Sequence, residues 1–301
     1  MTTGKLPKIL ILSNAPSRHT PALERISERA VADEVAAVEL TLRELGYTTS
    51  SAAIRQFSEL EATLESNSPD LVFNLCEGLD GHSVFESHVA AMLELQEIPF
   101  TGNQPLTLAL ARNKNLAKKI MRSCGILTPD WFCCKDIPQC LPETLRFPLI
   151  CKPACEDASL GILSDAVVHD FPALRRKLEN LLPNYALEGV LVEEFIAGRE
   201  FSVALLPETS GIRTLPPSEI DFSGLRDDQH KIVSYSAKWL EEDDLYRNTP
   251  SFCPADLPED LTLELQRTAL AVHQALEANS YGRADIRMDE QGRIFVLEYN
   301  P

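Results

Sequence analysis

The chain has 301 residues, 44% hydrophobic, 24% charged and 7% aromatic, with 28 basic against 45 acidic side chains and a formal net charge of −17. This composition excludes a disordered chain, a fibrous repeat and a disulfide-held miniprotein, and the length suffices for two or three packed subdomains. The acidic excess repels phosphate backbones and anionic lipid, and the longest basic run, Arg175-Arg176-Lys177, falls in a helical pattern, so neither nucleic acid nor a membrane is expected as a partner.

In chain order, Lys8 to Ser13 reads as a buried parallel strand. Helical spacing of Val31, Val35, Val38, Leu42 and Leu45 predicts a helix over Ala22 to Leu45, with Gly46 as its C-cap. A weaker strand from Thr48 to Ile54, a helix from Ser58 to Leu64 and a strong strand from Asp70 to Leu75 follow. A helix over His82 to Leu95 and a short strand over Ile98 to Thr101 complete an alternation that predicts a doubly wound parallel sheet. Ser13-Asn-Ala-Pro-Ser17 stands where a dinucleotide fold would carry G-x-G-x-x-G, so that reading loses its main support.

Pro105 to Cys124 is predicted as one helix closed by Gly125. Beyond it come short strands at Trp131–Cys134, Pro148–Lys152, Val190–Glu194 and Glu200–Leu206, then a helix over Leu261 to Ala278 and two strands, Arg283–Met288 and Arg293–Asn300. The intervening Pro- and acid-rich stretch, Leu215 to Asp260, is too long for an inert connection and points to a functional or mobile loop. No apolar run approaches the roughly 20 residues of a membrane span. The N-terminus carries no export pattern, and the eight cysteines lack C-x-x-C zinc spacing. Reduced, mostly buried thiols in a cytoplasmic protein are the expectation.

The last eighteen residues carry the densest chemistry. Taking Asp289-Glu-Gln-Gly292 as a turn places Met288 opposite Arg293, Arg283 opposite Glu298 and Asp285 opposite Val296. One hairpin face then shows Arg283, Asp285, Arg287, Glu298 and Asn300. The other shows Ala284, Ile286, Met288, Phe295, Leu297 and Tyr299, and is core. Two carboxylates and a carboxamide on rigid strands suit a hard cation such as Mg2+; a solvated face of cross-strand ion pairs is the alternative from the pattern alone.

Arg283-Ala-Asp285 followed by Phe295-Val-Leu-Glu298-Tyr-Asn300-Pro301 resembles the metal-binding signature of the ATP-grasp superfamily, in its D-alanine–D-alanine ligase-like branch. Further stretches, in the same order as in that branch, extend the resemblance over most of the chain. They are Asp70 to Asn74, Glu77-Gly78, Leu93 to Gly102, Leu108 to Lys114, Phe147 to Pro153 and Val192 to Phe201, with Asn113 where Asp is usual. The resemblance implies an ATP-grasp fold in three parts: an N-terminal Rossmann-like α/β domain over residues 1–104, a small nucleotide subdomain over 105–196 and an α+β C-terminal subdomain over 197–301.

It also implies roles. Lys114 and Lys152 would donate to the α- and β-phosphates of ATP, and Ser159 and Gly161 would belong to the phosphate-covering loop. Glu193 would sit at adenine, Glu194 and Ile196 in the linker offering backbone groups to the base, and Glu200 at the ribose. Asp285, Glu298 and Asn300 would hold Mg2+, with Mn2+ as the alternative. Arg283 would stabilise a developing oxyanion, while Lys238 and Tyr235, in a closing loop, would reach the γ-phosphate and shape the pocket. The implied activity is ATP-dependent carboxylate–amine ligation through an acyl phosphate, on an amino acid or small peptide, in a protein whose relatives are often homodimers.

Three departures from the branch stand out. Glu156 and Asp157 acidify a loop that is usually glycine- and serine-rich, so both would have to point away from phosphate. Asn14 to His19 lacks the residues that bind the first D-alanine, and Arg18 or His19 would suit a carboxylate, which implies a substrate other than D-alanine. The family pattern continues past its last metal ligand, whereas this sequence ends at Pro301, reading as a truncated chain. The first and third departures favour the rival expectation, an ATP-binding protein of this fold impaired in turnover.

Overall fold

The computed structural model describes residues 6–17, 25–156, 162–163, 165–226 and 229–301. The chain divides into two compact units, Met1–Ala109 and Leu110–Pro301.

In the first unit, strands β1 (Lys8–Asn14), β2 (Thr48–Ile54) and β3 (Leu71–Leu75) form a parallel sheet in the order β2-β1-β3. Helices α1 (Arg25–Glu44), α2 (Phe57–Asn67) and α3 (Glu86–Leu95) alternate with them, α3 entered through a 3-10 turn at Ser83–Phe85. Parallel strands with crossover helices are buried on both faces, and Leu10, Leu12, Ile54, Val72, Leu60 and Leu93 form the resulting core. The short strand expected at Ile98–Thr101 is reduced to an isolated bridge between Phe100 and Val72, because Pro99 has no N–H with which to continue a ladder. The predicted helix at Ala22–Leu45 is seen from Arg25, and its first three residues lie outside the described ones.

The helix expected from Pro105 to Cys124 is two helices, α4 (Pro105–Arg112) and α5 (Lys114–Ser123). Asn113 leaves the helical conformation and its side chain accepts the Leu116 N–H at 3.0 Å, an N-cap that starts the second helix. Lys114 is thereby the first residue of α5, with its own N–H on the Ala154 carbonyl.

The second unit holds two antiparallel sheets. The first is β4 (Trp131–Cys134), β5 (Leu149–Pro153), β6 (Val167–Val168) and β7 (Val190–Glu194), in the order β4-β7-β5-β6 and backed by α6 (Phe171–Tyr185). The second comprises β8 (Arg199–Glu208), β9 (Gly211–Thr214), β10 (Ser218–Ile220), β11 (Ser251–Phe252), β12 (Gly282–Met288) and β13 (Ile294–Asn300). Its order among the described residues is β11-β10-β8-β12-β13, with β9 also on β8. Two short helices, α7 (Tyr235–Trp239) and α8 (Asp244–Arg247), lie between β10 and β11, so the Leu215–Asp260 stretch is structured in short pieces. Helix α9 (Glu259–Ala275) packs on the sheet together with α5.

Strand alternation sorts this sheet's residues. Phe201, Val203, Leu205, Ala284, Ile286, Ile294, Val296 and Tyr299 face α5 and α9 and are buried. The opposite face carries Glu200, Ser202, Arg283, Asp285, Arg287, Glu298 and Asn300.

The hairpin register differs from the predicted one. Arg283 pairs with Asn300, Asp285 with Glu298 and Met288 with Ile294, and the register shifts between Asp285 and Ile286. Leu297 is the extra residue of a β-bulge, so Leu297 and Glu298 both turn away from the core. The predicted functional face stands, whereas Leu297 moves from the core to that face and Ile294 and Val296 take up the core positions. Phe295 is buried as expected, pairs with Arg287 and lies under the Arg293 guanidinium. At Gly282, a Cβ would collide with the Tyr299 hydroxyl, so only glycine lets β12 run this close to its partner.

The eight cysteines are all free thiols, but fewer are buried than expected. Cys76, Cys151 and Cys155 are buried, while Cys124, Cys140 and Cys253 are exposed, two of them in irregular segments that contribute nothing to a core. No described helix is long and apolar enough to cross a membrane.

Candidate active site

A cleft of about 390 Å³ lies between the two sheets of the second unit. Lys152 from β5 and Glu193 and Glu194 from β7 enter from one side. Glu200 and Ser202 from β8, Arg283, Asp285 and Arg287 from β12, and Glu298 and Asn300 from β13 enter from the other. Ile196 and Phe195 lie in the linker between the sheets, and Lys238 reaches the cleft from α7. Ile150, Ile162, Ile232 and Leu297 add apolar wall.

At the hairpin, Asp285 is held from three directions. Arg283 donates two parallel hydrogen bonds to it at 2.8 and 2.9 Å, Ser202 one at 2.7 Å and Asn300 one at 2.9 Å. This bidentate pairing with Asp285 pushes the Arg283 guanidinium further up from its already high range. Glu298 is surrounded by cations. Burial alone would raise its pKa, but Lys114, Lys152, Arg283 and Lys238 together bring it down to about 2. The Lys114 ammonium stands 3.6 Å from Glu298 and donates to the Glu156 carbonyl at 2.6 Å. Helix α5 and the hairpin thus meet at one carboxylate.

Behind them lies a second charge cluster. Glu193 is fully buried, with Lys152 2.5 Å from one carboxylate oxygen and Lys118 2.7 Å from the other. Burial raises the Glu193 pKa, and the two lysines more than reverse this, holding the carboxylate below its ordinary range. The carboxylate expected at adenine is therefore already engaged by two ammonium groups. Glu194 beside it is shifted the other way, raised by burial and by Asp130.

Glu200 also has a partner that sequence reasoning did not supply. Arg287 donates to its carboxylate at 2.6 and 2.9 Å, to the Ile196 carbonyl at 2.7 Å and to the Lys231 carbonyl. Its guanidinium lies against the rings of Phe195 and Phe222. Of the linker's carbonyls, that of Ile196 is thus already taken. Gly198 lets the linker press onto β12, since a Cβ there would fall on the Met288 carbonyl.

The structure brings Lys152, Glu193, Glu194, Ile196, Glu200, Lys238, Arg283, Asp285, Glu298 and Asn300 around one cleft, with Lys114 at its edge beside Glu298. Tyr235 is buried in α7, with its N–H on the Ile162 carbonyl and its ring 6.5 Å from that of Trp239. Ser159, Gly161, Asp157, Arg18 and His19 lie outside the described residues. Lys118 is the residue that the sequence hid. It lies four after Lys114, on the helix face that also carries Ala117 and Met121, and a cation at that spacing on an apolar face was the readable signal.

Among the described residues no group of three His, Cys, Asp or Glu side chains could hold a metal ion. The donor set at the hairpin is two carboxylates and a carboxamide, with Glu298 kept ionised. That set fits Mg2+, which takes one or two protein carboxylates and completes its shell with phosphate oxygens and water.

A cleft between two antiparallel sheets, ringed by lysines and floored by a carboxylate-bearing hairpin, is the arrangement of an ATP-grasp protein. The structure matches a D-alanine–D-alanine ligase of Bacillus anthracis complexed with ATP, with a TM-score of 0.73 at 20% identity over 98% of this chain and 86% of that one. The family model described as "D-ala D-ala ligase C-terminus" matches residues 121–301. A D-alanine–D-alanine ligase of Aquifex aeolicus is 30% identical over 92% of this chain and 86% of its own length. One from Marinomonas is 32% identical over 79% and 69%. An uncharacterized protein of Sinorhizobium fredii, y4sG, is 35% identical over 76% of this chain, which spans 64% of that protein's length. The chain belongs to the D-alanine–D-alanine ligase family of the ATP-grasp superfamily.

Proposed function

We propose that the protein is an ATP-dependent carboxylate–amine ligase. The observation that carries this reading is the joint convergence of Lys114, Lys152, Arg283 and Lys238 on the ionised Glu298 within one cleft. Cations on one side and carboxylates on a rigid hairpin on the other suit a triphosphate bridged by a divalent ion. Asp285, Glu298 and Asn300 would hold Mg2+, and the ion would supply charge neutralisation to the phosphates. Lys114 and Lys152 would bind phosphate oxygens, and Glu200, fixed by Arg287, would accept from the ribose hydroxyls. Glu193, Glu194 and the linker at Ile196 would border the base, with Ser159 and Gly161 in the loop above the phosphates.

In the reaction a substrate carboxylate attacks the γ-phosphorus, ADP leaves, and an amine then displaces phosphate from the acyl phosphate. Positioning and charge neutralisation dominate the first step. Arg283 would hold the carbonyl oxygen as negative charge develops on it. Lys238 would close over the γ-phosphate and keep out water, which otherwise hydrolyses the acyl phosphate. The N-terminal unit reads as the Rossmann-like substrate domain, and Asn14 to His19 favours an amino acid or peptide other than D-alanine. A ligase that consumes ATP would act in the cytoplasm.

Incubation with ATP, Mg2+ and mixtures of amino acids and dipeptides, read by ADP release and mass spectrometry, tests the proposal. Substrate-dependent ADP with a condensed product supports it. The acidic pair Glu156 and Asp157 favours a second reading, an ATP-binding protein without turnover, which predicts nucleotide binding and no product. Lys238→Ala is expected to lower kcat at least tenfold while changing ATP affinity by about threefold or less. An equal loss in both rules out closure by α7.

A further inference from the structure

We infer that Lys118, which does not line the cleft, is a positioning residue. It shares Glu193 with Lys152, so that Lys152 presents its ammonium to the nucleotide with positive charge left over. The inference rests on the ATP-binding reading above and extends it to a residue beneath the site.

Three buried groups form a row: Lys118, Glu193 and Lys152. The two lysines hold opposite oxygens of one carboxylate at 2.7 and 2.5 Å, so the row carries two positive charges against one negative. Were Lys152 the only partner of Glu193, the pair would be neutral, and a phosphate would have to compete with a buried carboxylate for one ammonium. With Lys118 present the row keeps a net positive charge, and Lys152 is its only member with a route to phosphate.

Lys118 is built for this position. It has no exposed surface, donates to the Thr128 hydroxyl at 2.5 Å and lies 5.5 Å from the centre of the Trp131 ring. The groups facing it are Glu193 from β7, Lys152 from β5, Thr128 from the segment entering β4, Trp131 at the start of β4, and Arg122 one turn along its own helix. Burial pulls its pKa down from 10.5 to about 8, with Lys152 and Arg122 adding to the fall and Glu193 opposing it. Lys118 is thus charged at neutral pH and loses its proton as pH rises through about 8.

Binding of a non-hydrolysable ATP analogue with Mg2+ to the full chain, measured from pH 6.5 to 9.5 by titration calorimetry, is the test. Wild-type affinity is expected to fall on the order of tenfold across about pH 8, the effect of removing one nearby charge in a medium of intermediate dielectric. Lys118→Met is expected to bind on the order of tenfold more weakly at pH 7 and to show no alkaline fall. Lys118→Arg, whose charge persists throughout, should keep wild-type affinity at pH 7 and also lose the fall. Should neither variant fold, the wild-type profile decides alone: constant affinity up to pH 9.5 overturns the inference. A Lys118→Met protein with wild-type affinity and an intact alkaline fall overturns it as well, while leaving the ATP-binding reading in place. A wild-type chain that binds no ATP overturns both.

Discussion

Glu298→Gln is expected to abolish Mg2+-dependent ATP consumption, by roughly a thousandfold, with little change in thermal midpoint. Glu298 is the carboxylate on which four cations converge, and burial with those cations sets its pKa at about 2. It is therefore held in the charged form well below the ordinary carboxylate range. Gln keeps the shape and removes the charge. The fold should not suffer, because Ile294, Val296 and Tyr299 on the other face of β13 supply the core contacts. Steady-state ADP release at several Mg2+ concentrations, beside a melting curve, makes the measurement. Unimpaired turnover would remove the hairpin from the proposed chemistry.

Glu193→Ala should act first on stability. It leaves Lys118 and Lys152 buried without their shared counter-charge, and deleting one partner of a buried ionic cluster costs about 3–5 kcal/mol. The loss also has a pH signature. With Glu193 gone, the remaining pull on Lys118 is downward, so its folded-state pKa falls further below that of the unfolded chain. A depressed lysine pKa penalises the folded state while the group is protonated in both states, and the penalty fades as pH rises above the folded value. Denaturant unfolding should accordingly show a larger deficit at pH 6.5 than at pH 9.5. A deficit under about 1 kcal/mol at both pH values would show that the cluster is solvated, and its charge argument would fail.

The sequence was legible where local chemistry repeats. The parallel strands of the first unit, the two sheets' main strands and the terminal hairpin were readable from apolar runs and turn residues, and the functional face of the hairpin from its charged alternation. Its register was not. The turn is bracketed by Asp289, which accepts from the Gln291 and Arg293 N–H groups and pairs with the Arg293 guanidinium, and the bulge at Leu297 leaves no mark in a run of apolar residues. Asn113 also misled, because a polar residue inside a helical pattern reads as surface until its side chain is seen capping the next turn. The burial of Lys118 and the partner of Arg287 went unread for a related reason. A cation in sequence reads as solvated, and only the three-dimensional meeting with Glu193 or Glu200 accounts for its burial.

The bulge at Leu297 has a consequence for how this molecule tolerates change. It acts as a slip joint, separating the half of the ribbon that carries Asp285 and Glu298 from the distal half that carries Glu290 and Gln291. Insertions or deletions at that outer end can be absorbed there without rotating Asp285 or Glu298. Removing Leu297 itself would restore strict alternation, with Glu298 still opposite Asp285 and Val296 and Tyr299 still toward the packed helices, but it would take away the apolar wall that Leu297 gives the cleft. Natural length variation is therefore expected at the tip.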